Sequence, residues 1–193
     1  MIDRIRDGLE DRLSPEQAAY RRGRGTSEQI YILRNILEQS MEWQAPLYVS
    51  FIDFKKAFDS IIREKLWDIL RQYGIPSVYV DIIRKLYDGS SSCVIENGRT
   101  TDWFKVQTGV RQGCVMSGFL FIIVVDWIMR NTNNKKRGIR WKFMSTLEDL
   151  DYADDLALIS SKHSDMQEKT RRLHVVTEYT GLKINVDKTK ARE

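Results

Sequence analysis

The chain has 193 residues, 42% of them hydrophobic and 30% charged, with a net charge of +4 and a pI near 9.0. That is enough chain for one compact domain with a real core, and its mild basicity permits a nucleic-acid partner without demanding one. Cys93 and Cys114 are the only cysteines and His163 and His174 the only histidines, which argues against a disulfide framework and a zinc centre.

The start, Met1-Ile2-Asp3-Arg4, is charged at once and reads as no secretion signal. An intracellular location, nucleus or cytoplasm, is therefore expected. The longest apolar run, Gly118 to Val125, ends at Asp126 and falls short of the ~20 residues a membrane helix needs, so no membrane partner is expected. Residues 3–13 predict a short amphipathic helix, with Ile5, Leu9 and Leu13 four apart. Ser14-Pro15-Glu16-Gln17 reads as a helix start. Arg21, Arg22 and Arg24, interleaved with Gly23 and Gly25, form a loop suited to phosphate contact, because glycine admits close approach and arginine holds phosphate bidentately. The next helix runs to about Glu42 with Ile30, Leu33, Ile36 and Leu37 on one face.

Pro46 ends that segment, and Leu47 to Asp53 predicts a strand on which Leu47, Val49, Phe51 and Asp53 share a face. A helix follows, with Ile62, Leu66, Ile69, Leu70 and Tyr73 inward and Gly74 as its stop. Pro76 opens another, lined by Val78, Ile82, Ile83 and Leu86. Asn97-Gly98 between Ser92–Glu96 and Arg99–Val106 predicts a β-hairpin. Gln107 to Gly118 is a glycine-rich loop ahead of an apolar core helix, Phe119 to Met129. Asn131 to Arg140 reads as a basic surface loop. Leu147 to Ser160 reads as strand, tight turn, strand, with Asp154 and Asp155 at the turn. A helix from Lys162 to Tyr179, a short strand from Leu182 to Val186 and a basic tail complete the chain.

An aspartate ending an apolar strand must meet a cation or solvent, because burying it unpaired is costly. Two further aspartates at a hairpin tip offer hard oxygen ligands. If the two strands are neighbours in an antiparallel sheet, Asp53 and Asp154 lie side by side at one edge. That arrangement suits two divalent cations ~3.5–4 Å apart and an in-line displacement at phosphorus.

Three segments in this order resemble a reverse transcriptase of the non-LTR retrotransposon type: Phe51-Ile52-Asp53-Phe54-Lys55-Lys56-Ala57-Phe58-Asp59, Thr108-Gly109-Val110-Arg111-Gln112-Gly113-Cys114 and Tyr152-Ala153-Asp154-Asp155. Gly181-Leu182-Lys183-Ile184-Asn185 with Lys188-Thr189-Lys190, and Tyr20 to Thr26, extend the resemblance over nearly the whole chain. It implies an α+β polymerase palm: a small antiparallel, ferredoxin/RRM-like sheet packed on helices, with the catalytic aspartates on one sheet edge. It further implies two Mg²⁺ ions, with Mn²⁺ as an alternative, held by Asp53, Asp154, Asp155 and the backbone carbonyl of Phe54. Nucleotide-binding roles fall on Phe58, Arg111, Gln112, Gly113 and Lys188. Nucleic-acid-binding roles fall on Arg21, Arg22, Arg24, Tyr152 and Ala153. Phe58 stands where the family has an aromatic that selects deoxynucleotides.

The partners implied are an RNA template, a DNA primer and a deoxynucleoside triphosphate (dNTP). One departure is Val115-Met116-Ser117-Gly118, where the family usually has Pro-Leu-Ser-Pro. Residues 1–45 are expected to be a helical segment with the basic loop leading into the palm, and 46–193 the palm itself, without fingers strands or thumb. The expected activity is nucleotidyl transfer to a primer 3′-OH, by a fragment of a retrotransposon polyprotein. The alternative is a catalytically incompetent nucleic-acid-binding remnant, and a nucleotide cyclase is a weaker third option that the Gln112-Gly113 loop argues against.

Overall fold

The computed structural model describes residues 2–141 and 145–192. Helix α1 (Ile2–Leu9) continues as a 3-10 turn, Glu10–Arg12, and buries Ile5, Leu9 and Leu13 at their spacing of four. Helix α2 (Thr26–Glu42) leads to strand β1 (Tyr48–Ile52). Helices α3 (Ala57–Ser60), α4 (Arg63–Gln72) and α5 (Ser77–Tyr87) follow. A ribbon of four two-residue strands comes next: β2 (Ser91–Ser92), β3 (Ile95–Glu96), β4 (Arg99–Thr100) and β5 (Phe104–Lys105). Its tip is the expected Asn97-Gly98 turn, both residues at positive φ. Then come α6 (Val115–Thr132), the hairpin β6 (Ile139–Trp141) and β7 (Ser145–Leu147), the hairpin β8 (Asp149–Tyr152) and β9 (Asp155–Ser160), α7 (His163–Thr180) and β10 (Lys190–Arg192).

The main sheet has the order β10-β1-β9-β8, and each neighbouring pair is antiparallel. The expected α+β architecture is present, and both faces of the sheet are covered. Ile52, Leu156 and Leu158 join the large core built on α1, α4, α5, α6 and α7. Val49, Ala157, Ile159, Leu147 and Leu150 form a smaller core with Ile36 of α2. Helix α6 is the axis of the large core: every residue from Met116 to Val125 is buried. Its one interior carboxylate, Asp126, is satisfied by the Ser14 N–H at 2.6 Å, the Arg130 Nε at 2.7 Å and the Tyr73 hydroxyl.

Several local expectations are corrected. Ser14–Gln17 does not start a helix. Its backbone instead runs beside β8: the Ala18 N–H donates to the Asp151 carbonyl at 3.0 Å, and Gln17 bridges Asp151 in parallel. Helix α5 is rotated from the expected face and buries Val80, Ile83 and Tyr87, leaving Val78, Ile82 and Leu86 exposed. Helix α6 spans 18 residues rather than the shorter run read from sequence, long and apolar enough to cross a membrane by length and composition, yet it is buried here as a core helix. The expected strand Leu182–Val186 shrinks to one bridge, Phe54 with Ile184. The edge strand is instead β10, drawn from the basic tail, with Phe51 opposite Lys190.

Lys169 of α7 is fully buried. Its Nζ lies 2.6 Å from the Glu148 Oε2 and donates to the carbonyls of Glu148 at 2.8 Å and Ile159 at 2.7 Å. The ammonium thus clamps α7 to the root of the aspartate hairpin. Burial pulls its pKa down, opposed by the bond to Glu148.

Candidate active site

The β8–β9 hairpin closes with Tyr152 opposite Asp155, so Ala153 and Asp154 form a two-residue turn. Such turns need a positive φ, and Ala153 takes it, at 55°. A side chain in that region costs roughly 1–2 kcal/mol, so the surroundings must hold it. On the neighbouring strand Ile52 sits opposite Leu156, and continuing that register by one residue sets Asp53 opposite Asp155. Asp53 therefore faces Asp155 across the sheet, with Asp154 the next residue at the turn. Burial first, then the charges of Asp154 and Asp53, push the Asp155 carboxyl above its usual range.

Asp53 is fixed by Asn185, whose N–H donates to its carbonyl at 2.8 Å and whose Nδ2 donates to its Oδ2 at 2.9 Å. Lys188 brings its Nζ to 3.9 Å from the same Oδ2. The Phe54–Ile184 bridge uses the Asp53 carbonyl and the Lys55 N–H, leaving the Phe54 carbonyl out of it.

Among the described residues, no group of three His, Cys, Asp or Glu side chains is drawn together tightly enough to hold a metal ion by itself. Mg²⁺ is ordinarily held by one or two carboxylates, with water and substrate phosphate filling the remaining positions. The donor set fits a site of that kind. It consists of hard oxygens on rigid strand ends, whose mutual repulsion already weakens the acidity of Asp155.

Phe58, in the short helix after β1, stacks on Phe121 of α6 with centroids 4.5 Å apart and planes 9° from parallel. With Tyr20, Gly113, Cys114 and Gly118 it lines a cavity of about 390 Å³. A Cβ on Gly118 would come within 2.7 Å of the Tyr20 ring and push it aside. Arg111 and Gln112 line a different cavity, of about 750 Å³, beside Asp59 and the β2–β5 ribbon. Gln112 donates to the Asp59 carboxylate at 3.4 Å, and Arg111 to the Leu86 carbonyl at 2.8 Å. The predicted nucleotide residues are thus divided: Phe58 and Gly113 line one cavity, Arg111 and Gln112 another, and Lys188 lies beside Asp53.

That loop is pinned where sequence gave no warning. Gly109 has φ +76°, and a Cβ on it would meet the Asp59 Cα and the Phe58 carbonyl at 2.6 Å. Arg63 donates to the carbonyls of Val106 at 2.8 Å, Gly109 at 3.0 Å and Thr108 at 3.2 Å, and to the Ser90 hydroxyl at 2.9 Å. An arginine at a helix start has no local signature for such a role.

Two nucleic-acid assignments are corrected. Arg21 is almost wholly buried and donates to Glu10 Oε1 at 2.8 Å and to the carbonyls of Ser14, Gln17 and Glu10. It builds the loop and has no free face for phosphate. Ala153 is buried and turns its N–H inward to Gln17, so it shapes the turn rather than offering a contact. Arg22 and Arg24 are exposed, and Tyr152 is half-buried beside the turn.

Beneath the hairpin, Asp149 and Asp151 are buried side by side on β8. Burial first, then the charge of Asp149, hold the Asp151 carboxyl well above the carboxylate range. Asp149 is pushed up to about 6 by burial, moderated by Asp151, Lys169 and Asn133. Asp151 favours the fold fully below its unfolded value of ~3.9, and that contribution is lost as pH rises through its raised folded value. Asp151→Asn is nearly isosteric and cannot ionise. The variant is expected to lose less stability than the parent as the pH rises from about 4 to about 8. Denaturation curves across that range check this, and parallel curves for the two proteins would refute it.

The family model described as reverse transcriptase (RNA-dependent DNA polymerase) matches residues 1–193. The Pol polyprotein of the type-2 retrotransposable element R2DM of Drosophila melanogaster is 28% identical over 175 residues, which is 90% of this chain and 16% of that protein. The transposon TX1 149 kDa protein of Xenopus laevis is 24% identical over 188 residues, 96% of this chain and 14% of that one. Among solved structures, telomerase from Candida tropicalis in complex with a fragment of telomeric RNA superposes with a TM-score of 0.71 at 16% identity, over 100% of this chain and 33% of that chain. The apo enzyme truncated from its C-terminal domain gives a TM-score of 0.72 at 17% identity, covering 99% and 40%. These structures share the fold, and the chain spans only a small part of the polyproteins it matches. Motif order, sheet topology and a family match along the full length agree: the chain belongs to the reverse transcriptase family, of the non-LTR retrotransposon type.

Proposed function

We propose that this chain carries the polymerising centre of an RNA-directed DNA polymerase. It would transfer a nucleotide from a dNTP to a primer 3′-OH on an RNA template, with two Mg²⁺ ions or Mn²⁺ in their place. The observation that carries the reading is the meeting of Asp53, Asp154 and Asp155 at one end of the sheet, close enough for the first two to disturb the acidity of the third. Residues 46–193 would form the palm and 1–45 the approach to it.

Asp53, Asp154 and Asp155, with the Phe54 carbonyl, would hold the ions, which when bound polarise the attacking hydroxyl and neutralise phosphate charge. The other residues serve that centre. Asn185 fixes both the backbone and the carboxylate of Asp53. Lys188 is exposed beside it and can meet a phosphate. Phe58, locked against Phe121, forms a rigid wall where the sugar of the incoming nucleotide would lie. A wall of that kind excludes a ribose 2′-OH by volume. Phe58→Val is expected to raise ribonucleotide over deoxynucleotide incorporation by about tenfold or more, read as the ratio of single-nucleotide insertion rates. An unchanged ratio removes Phe58 from sugar selection.

The reading itself is tested by primer extension on an RNA template, in this chain and in the polyprotein that contains it. Extension is expected with Mg²⁺ and none with a chelator; no extension by either protein refutes it. The competing reading, a binding module without catalysis, draws on the exposed Arg22, Arg24, Lys135 and Lys136. It predicts template binding that weakens steeply with salt, together with no metal-dependent synthesis.

A further inference from the structure

We propose that Gln17 is a positioning residue for the aspartate turn: its side-chain amide oxygen holds the backbone of Ala153, and through it the direction of Asp154. The inference rests on the polymerase reading above for its meaning, but its geometry stands by itself. Gln17 is fully buried, 136 residues away in sequence from the turn it touches. Its Oε1 accepts from the Ala153 N–H at 3.3 Å and from the Ala19 N–H at 3.0 Å. Two converging N–H donors fix which end of the amide faces the turn. The segment carrying Gln17 is itself held to β8, by the Ala18 N–H on the Asp151 carbonyl at 3.0 Å and the Asp151 N–H on the Glu16 carbonyl at 3.4 Å.

The bond falls where it has the most leverage. Ala153 sits at φ 55° without being glycine, and Tyr20, just past Ala19, sits at the same φ. A non-glycine residue in that region persists only when its surroundings over-determine it. One acceptor therefore supports two strained stretches, the turn before Asp154 and the start of the Tyr20–Arg24 loop. A neutral acceptor also suits the location, because Asp149, Asp151, Asp126 and Glu16 already crowd that side of β8.

The test begins with the unaltered chain. Ala153 amide hydrogen exchange, read by NMR, is expected to be at least about tenfold slower than that of an exposed turn amide; exchange at the exposed rate overturns the proposal even if every variant fails to fold. In Gln17→Met, exchange at Ala153 is expected to speed up about tenfold. Primer extension by that variant should lose about tenfold in kcat with the KM for dNTP unchanged. Glycine accepts a positive φ without strain, so Gln17→Met with Ala153→Gly should recover most of the lost kcat. A loss carried in KM, or no recovery with glycine, points to general destabilisation and overturns the positioning role. If neither the unaltered chain nor the polyprotein that contains it extends a primer, the polymerase reading fails, and the exchange measurements alone decide whether Gln17 holds the turn.

Discussion

Asp154→Asn is expected to lower primer extension by about 10³-fold while leaving the fold intact. Asparagine has the shape of aspartate and tolerates turns, so the two-residue connection between Tyr152 and Asp155 should survive. What is lost is an anionic oxygen at the point where the sheet gathers three carboxylates. The same variant carries an internal check. Asp154 is one cause of the raised Asp155 pKa, so neutralising it should bring the Asp155 titration back towards the ordinary range, measurable from side-chain carbon shifts. Mn²⁺ affinity should fall with it. Extension at the parental rate, with the Asp155 titration lowered, would remove Asp154 from the reaction while confirming that the residue is correctly placed.

Lys169→Met is expected to cost about 2–3 kcal/mol of stability, because it removes the donor to two carbonyls and leaves the Glu148 carboxylate only the Arg137 N–H. The ammonium satisfies the Glu148 carboxylate and the carbonyls of Glu148 and Ile159, and its charge offsets Asp149. Methionine fills much of the same volume but offers no donor, so the loss is electrostatic rather than a cavity. A fall in the urea midpoint at unchanged m-value registers it. A loss below about 1 kcal/mol would show that water reaches Glu148 and replaces the ammonium. The effect is expected to concentrate on β8 and β9, which makes this distant lysine a support of the candidate active site.

Local chemistry made much of the fold legible. The β-branched and aromatic run Tyr48–Ile52 and the apolar run Leu156–Ile159 have one reading each as strands, and the Asn97-Gly98 connection one reading as a turn. The turn of the aspartate hairpin falls one residue earlier than expected, on Ala153-Asp154, and Asp155 opens β9. Helix α5 was legible as a helix but not as a face: apolar residues lie on both sides of it, and only docking against α4 and α6 chose Val80, Ile83 and Tyr87. Strand β10 was not legible at all. All three of its residues are exposed, so it carries no alternation to read and exists only through backbone pairing with β1.

The site divides along the same line. Residue identities name the groups on offer: the aspartates at 53, 154 and 155, the aromatic at 58 and the loop at 109–114, in an order that marks the family. Folding sets what surrounds them. Asp53 meets Asp155 across a strand pair, Arg111 and Gln112 open on a different cavity from Phe58, and Arg21 builds the loop instead of facing solvent. Arg63, Lys169 and Gln17 are ordinary polar residues in the sequence, and each is a support of the site in the fold. The cause is shared. A polar side chain taken out of water is defined by the partners that offset its desolvation, and these include partners far along the chain: 10 residues from Lys169 to Ile159 and 136 from Gln17 to Ala153.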